Sequence, residues 1–129
     1  MSDLLFKSKQ SSELPLAWGT GSSFGQIASE RQALKLINTC LECGIRRFDT
    51  GASYAMGQSE KMLGICLQRS HFDRSSLVIS TKIGSLPASN FRQIVVKDYS
   101  PKASRLLIES SLVNLRTDYI DIVFFHSLP

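Results

Sequence analysis

An aspartate, a tyrosine, a lysine and a histidine stand in this chain where strand-like runs end. Asp49 closes the run 45–49, Tyr54 follows in the next loop, Lys82 closes 77–82, and His126 closes 119–126. Together they carry the groups that reduction of a carbonyl requires. A tyrosine hydroxyl can give its proton to a carbonyl oxygen, although a free phenol is a weak acid at neutral pH. An ammonium at Lys82 would stabilise the phenolate as it develops, and a carboxylate at Asp49 would keep that ammonium charged and in place. An imidazole at His126, beside the phenol, would complete a pair of donors for the oxygen. Each residue alone has an ordinary structural explanation: Asp49 as a loop cap, Tyr54 as a half-buried surface aromatic, Lys82 as a snorkelling side chain, and His126 as a satisfied core histidine. Four equivalent placements make coincidence a poor account.

The intervening segments supply elements that could position these residues. Leu14 to Trp18 reads as a short strand running into the tight loop Gly19-Thr20-Gly21. Ser29-Glu30-Arg31-Gln32 has the form of a capping box. Ala33, Leu36, Ile37, Cys40 and Leu41 then follow at the spacing of one buried helix face, and Gly44 ends the helix. A second strand spans Ile45 to Asp49, beginning in earnest at Arg47. A second helix starts near Ser59, with Met62, Leu63, Cys66 and Leu67 on its buried side. Leu77 to Lys82 is a third strand, rich in β-branched residues. The stretch 84–98 has little periodicity and is expected to be a long functional loop. Ser100-Pro101 caps a third helix reaching about Leu115, with Ile108, Leu112 and Leu115 on one side. Tyr119 to His126 is a nearly continuous apolar strand, interrupted only by Asp121.

Apolar strands alternating with amphipathic helices imply a parallel sheet covered by helices. The expected fold class is therefore α/β, of the (β/α)8 TIM-barrel type. With four strands and three helices in 129 residues, it is read as a truncated half-barrel, one incomplete domain over 1–129. A full barrel takes about 250 residues and places its chemistry at the C-terminal ends of its strands, where Asp49, Lys82 and His126 fall.

Composition removes several other classes. Hydrophobic residues at 43% and charged residues at 20% describe a globular chain. The net charge of +4 comes from scattered Lys and Arg, not the stripe that nucleic-acid binding would need. Leu4 to Phe6 is too short for a signal peptide or a membrane span. Three cysteines without a secretory signal fit a reducing, cytoplasmic setting. Cys40 and Cys43 form a C-x-x-C near a helix end, where neither a redox pair nor a zinc site is expected. No metal is expected.

The residues around the four resemble those of the aldo-keto reductase family. The first signature is similar to Gly44-Ile45-Arg46-Arg47-Phe48-Asp49-Thr50-Gly51, Tyr54, Gly57-Gln58-Ser59-Glu60 and Leu63-Gly64. Ile79-Ser80-Thr81-Lys82 resembles the strand ending in the family's catalytic lysine. Tyr99-Ser100-Pro101, Glu109-Ser110-Ser111-Leu112 and 115–121 resemble the approach to its active-site histidine. The resemblance, from Leu14 onward, implies a carbonyl reductase using NADPH (the choice against NADH stays open) and a small-molecule carbonyl substrate. It implies Asp49, Tyr54, Lys82 and His126 as catalytic residues, and Thr20, Gly21 and Asp49 near the nicotinamide. The loop Gly19 to Gly25 is glycine-rich but is not G-x-G-x-x-G. In the family the cofactor's phosphates are held by later strands, so the 129-residue chain is expected to bind NADPH weakly and to be inactive as a monomer. Two other readings stay open on sequence alone. One is a non-catalytic half-barrel that pairs with itself or with a second half-barrel, or regulates a relative; the other is a gene-model fragment.

Overall fold

A computed structural model describes residues 15–27, 29–86 and 96–128. The elements, in order, are β1 (Ala17–Gly19), α1 (Gly21–Phe24), α2 (Glu30–Glu42), β2 (Arg47–Asp49), α3 (Gln58–Arg69), β3 (Val78–Ile83), α4 (Pro101–Leu115) and β4 (Ile122–Phe125). Single 3-10 turns at Tyr54–Gly57 and Arg74–Ser76 precede α3 and β3. The strands form one parallel sheet in the order β1-β2-β3-β4. This is the α/β half-barrel arrangement expected from the alternation of strand and helix.

Register sorts the strand residues onto two faces. Trp18, Phe48 and Ile79 are partners across β1, β2 and β3. They join Ile37, Leu41, Leu63, Cys66 and Leu115 in the main core beneath the helices. Gly19, Asp49 and Ser80 are partners one position on, so their side chains lie on the opposite face. Lys82, two residues beyond Ser80, shares that face. The period of two thus separates the hydrophobic core from the polar row.

Several local expectations are corrected. Ser29 is the N-cap of α2, but its side chain makes no cap bond; its carbonyl accepts from Gln32 N and Ala33 N at 3.1 Å each. Leu36, expected on the buried face, is exposed, because that face is centred on Ala33, Ile37, Cys40 and Leu41. In α4 the fully buried row is Ala103, Leu107, Ser111 and Leu115, at steps of four, while Ile108 and Leu112 are only half-buried. The expected tight loop after β1 contains the extra short helix α1. The Ser100 cap of α4 forms as expected, its hydroxyl accepting from Ala103 N at 3.2 Å.

Asp121 interrupts the β4 run for a structural reason. Its Oδ2 accepts from Ile79 N at 2.8 Å and from Arg74 Nη2 at 2.6 Å. Arg74 also donates to Thr117 Oγ1, Leu77 O and Tyr119 O, and stacks 3.9 Å from the Tyr119 ring. One guanidinium therefore ties the starts of β3 and β4 together at the end of the sheet away from Lys82. A shallow, open depression beside it, lined by Arg74, Leu112, Val113, Arg116, Thr117 and Asp118, lies at that same end.

Candidate active site

The C-terminal ends of β2 and β3 place Asp49 and Lys82 side by side. Lys82 Nζ lies 2.5 Å from Asp49 Oδ2 and donates to Thr50 O at 2.7 Å. Ser80 Oγ donates to the other carboxylate oxygen at 2.6 Å. Both carboxylate oxygens and the ammonium are therefore held in a site whose side chains are only 33% and 19% exposed. The β2–β3 ladder continues past the end of β2 through Thr50 N to Ser80 O (2.9 Å) and Ala52 N to Lys82 O (3.1 Å). That extension fixes the beginning of the loop carrying Tyr54.

The Tyr54 loop turns sharply. Ala55 and Met56 both have positive φ, at 48° and 57°, followed by Gly57 at 83° as the N-cap of α3. Two consecutive non-glycine residues in the left-handed region mark a strained backbone that its surroundings must hold. Ser22 Oγ in α1 does part of this, accepting from Ala55 N at 3.2 Å. Gly51 leaves space for the Tyr54 ring, since a Cβ there would lie 3.2 Å from Cε2. The ring is 5.0 Å from Lys82 Nζ, centroid to nitrogen.

His126 follows β4. Its ring meets the Tyr54 ring edge to face, with centroids 5.5 Å apart and planes at 86°. Its Nδ1 is 3.4 Å from Ser53 Oγ. Burial first, then the ammonium charges of Lys82 and Lys97, hold the His126 imidazole below its usual titration range, against an opposing pull from Asp49. The ring is thereby biased toward its neutral form, which has one N–H to donate and one nitrogen to accept.

The structure thus brings Asp49, Tyr54, Lys82 and His126 to one end of one sheet. Thr20 and Gly21 join them through β1: Thr20 N donates to Asp49 O at 2.9 Å, and Thr20 Oγ1 donates to Thr50 Oγ1 at 3.0 Å. Thr20 is buried, so its hydroxyl is committed to the protein. Among the described residues Gly21 is open by contrast: a Cβ there would meet only Ser23 Oγ, at 4.0 Å, and one at Gly19 would meet nothing within 4 Å. Among these residues, the backbone at Gly19 and Gly21 beside the Asp49–Lys82 pair therefore carries little side-chain cover.

The sequence reading passed over four contributors. Ser80 Oγ and Ser53 Oγ touch Asp49 and His126 directly. Lys97 and Tyr99 hold the backbone at His126, donating to its carbonyl at 3.1 and 2.9 Å. Ser80 could have been found from the period of two that places it on the face of Lys82; Tyr99 stood in the resemblance without a role, and nothing in the sequence singles out Ser53 or Lys97. Glu60, like Ser80 and Tyr99, appeared only as part of the resemblance and was given no role there. It is fully buried, accepting from Thr81 Oγ1 at 2.6 Å and from Asn114 Nδ2 at 3.1 Å. It joins the strand residue before Lys82 to both α3 and α4. The cysteines are unpaired, Cys40 and Cys66 buried and Cys43 exposed, and burial pushes the Cys66 thiol up to about 11. Among the described residues, no helix is long and apolar enough to cross a membrane.

Comparison with known proteins agrees with this architecture. The Aldo/keto reductase family profile matches residues 15–129. L-galactose dehydrogenase of Arabidopsis thaliana is 34% identical over 108 residues, covering 84% of this chain and 31% of that protein. A protein of Oryza sativa subsp. japonica named "Probable voltage-gated potassium channel subunit beta" is 30% identical over 114 residues, covering 86% of this chain and 33% of its own. An aldo-keto reductase from Bacillus halodurans, solved in its holo form, superimposes with a TM-score of 0.76 at 28% identity, over 88% of this chain and 36% of that one. The chain therefore spans about a third of the length of these relatives, and its four-stranded sheet corresponds to part of a (β/α)8 barrel. With its profile matched from residue 15 to residue 129, the chain belongs to the aldo/keto reductase family.

Proposed function

We propose that this chain carries the proton-transfer part of a site that reduces an aldehyde or ketone to an alcohol, with NADPH or NADH as cofactor. The observation that carries this reading is the run of contacts from the Asp49 carboxylate to Lys82 Nζ (2.5 Å), from Nζ to the Tyr54 ring (5.0 Å), and from that ring to His126 (5.5 Å). In this reading the Tyr54 hydroxyl gives its proton to the carbonyl oxygen as negative charge develops there. Lys82 stabilises the phenolate left behind, and Asp49 with the Thr50 carbonyl keeps the ammonium in position. Neutral His126 donates an N–H to the same oxygen and sets the direction of the carbonyl. A bound reduced nicotinamide supplies the hydride. Asp49 and the backbone around Gly21 would hold its ring end, with Thr20 supporting them from beneath.

The likeness to a protein named L-galactose dehydrogenase makes sugars the first substrates to try. The unpaired cysteines favour a reducing compartment such as the cytoplasm. Transfer of deuterium from NADPH labelled at both nicotinamide C4 positions into the alcohol product, measured with residues 15–129 set in a completed barrel, tests the reading. Label found in the product with Tyr54 in place, and sharply reduced with Tyr54→Phe, is the expected result. Oxidation of NADPH without label in the alcohol would remove the reading.

A second reading, a half-barrel that acts as an interaction or regulatory partner, is favoured by one observation: Ile122, Val123, Phe124 and Phe125 of β4 are all exposed. Under that reading Tyr54→Phe would leave partner binding unchanged.

A further inference from the structure

The turn that carries His126 has little of its own to hold it. Among the described residues β4 pairs only with β3 in the sheet, and all four of its residues are exposed. Ser127 has left-handed backbone at φ 55°, which disfavours a residue with a Cβ. His126 N donates to Ile83 O at 2.8 Å, continuing the ladder by one bond. The other restraints come from the connection between β3 and α4. Tyr99 OH lies 2.9 Å from His126 O and 2.8 Å from Ser127 O, and Lys97 Nζ lies 3.1 and 2.9 Å from the same two oxygens. A phenol has one proton, so it serves the two carbonyls as a shared donor, and the ammonium supplies the remaining N–H bonds.

These two donors are themselves anchored. Ser85 and Lys97 form an antiparallel bridge, flanked by Leu86 N to Val96 O and Asp98 N to Gly84 O, each at 2.9 Å. The Tyr99 ring covers Gly84, which has φ +94° and where a Cβ would come within 2.1 Å of the ring. It also meets Phe125 edge to face at 5.9 Å. The base of the β3–α4 connection therefore grips the backbone on which the imidazole is mounted.

We propose that Tyr99, seconded by Lys97, is a positioning residue for His126. Its hydroxyl fixes the His126–Ser127 peptide and so keeps the imidazole against the Tyr54 ring and near Ser53. Tyr99 acts through backbone and touches no substrate. The proposal rests on the proposed function only in giving His126 the task of orienting a carbonyl.

The test reads the position of His126 directly, by NMR of the whole chain, so that its failure is distinct from a failure of the reductase reading. The sequence has two histidines, and the exposed His71 serves as an internal control. In wild type, His126 ring protons should show cross-relaxation to the Tyr54 ring and ring-current-shifted signals. Tyr99→Phe keeps the ring over Gly84 but removes the hydroxyl. It should weaken that cross-relaxation at least several-fold and move the His126 signals toward those of His71, with His71 and the core methyl signals unchanged. Lys97→Met in the Tyr99→Phe background should abolish the contact, and Lys97→Arg, which keeps N–H donors, should retain more of it. Should Tyr99→Phe disturb the whole spectrum, Lys97→Met against Lys97→Arg in the otherwise wild-type chain makes the same comparison. An intact His126–Tyr54 contact in the double variant, or equal effects of Met and Arg at position 97, would overturn the proposal.

Discussion

Lys82 and Asp49 form an ion pair at 2.5 Å across neighbouring parallel strands, and the same ammonium faces the Tyr54 ring at 5.0 Å. The pair is part-buried, so its partners depend on one another. Asp49→Asn would leave the Lys82 ammonium without its counter-charge, and Lys82→Met would leave the carboxylate with Ser80 alone. Each single variant is expected to lose roughly 1–3 kcal/mol of stability in urea melts. The double variant should lose less than the sum, with a coupling of about 0.5–3 kcal/mol. Strict additivity would show that the two groups do not sense each other.

Glu60 gives a second, sharper stability prediction. Its buried carboxylate serves Thr81 and Asn114 at once. Glu60→Ala strands both donors at a cost of about 1–3 kcal/mol each. Glu60→Gln keeps an acceptor for one of them and should cost clearly less. Equal melting of the two variants would show that packing, not hydrogen bonding, is what Glu60 contributes.

The pH behaviour of His126 follows from its surroundings. Burial and the charges of Lys82 and Lys97 lower its titration, so by NMR it should titrate below the ordinary imidazole value. Lys97→Met removes one of the lowering charges and should move the midpoint up. The link to stability has a definite sign. The unfolded chain takes up this proton more readily than the folded one, so the His126 contribution is fully present above the ordinary imidazole value. It is lost as pH falls from there through the lowered folded value. A His126 midpoint at or above the ordinary imidazole value would contradict the electrostatic description.

Much of this fold is written locally. Helix and strand order, the Gly44 terminus with φ 89°, the Ser100 cap and the parallel alternation follow from turn chemistry and periodicity that neighbouring residues settle among themselves. The same holds for the gathering of Asp49, Lys82 and His126, since ends of parallel strands share one end of a sheet. What stayed hidden depends on distant contacts. Leu36 and Leu112 fit their periodic patterns, but which way a helix faces is decided by the sheet beneath it. The grip of Tyr99 on His126 spans 27 residues and passes through backbone carbonyls, which leave no signature in side-chain type. The left-handed run Ala55-Met56 uses residues that do not announce a turn, because tertiary contacts impose it.

The exposed row of β4 makes association a testable expectation. Ile122, Val123, Phe124 and Phe125 are 42%, 39%, 49% and 53% exposed. Fully burying a side chain of this kind gains about 1.5–3 kcal/mol, and edge strands offer unpaired backbone to another chain. The 129-residue chain on its own should therefore associate as its concentration rises and bind a hydrophobic dye. Light scattering after size exclusion reads the mass; a sharp monomer across the micromolar range with no dye binding would contradict this.

The central claim, that Tyr54 is the proton donor of a carbonyl reductase site built by β2, β3 and β4, is tested most directly in a completed barrel. Residues 15–129 would replace the matching part of the Bacillus halodurans reductase, and carbonyl-dependent oxidation of NADPH would be compared for the chimera and its Tyr54→Phe variant. The account predicts turnover in the chimera that falls about 10²–10⁴-fold with the loss of the hydroxyl, the range expected for general acid catalysis, at nearly unchanged NADPH affinity. A folded chimera whose turnover is indifferent to Tyr54→Phe, or which binds NADPH and reduces no carbonyl, would contradict it.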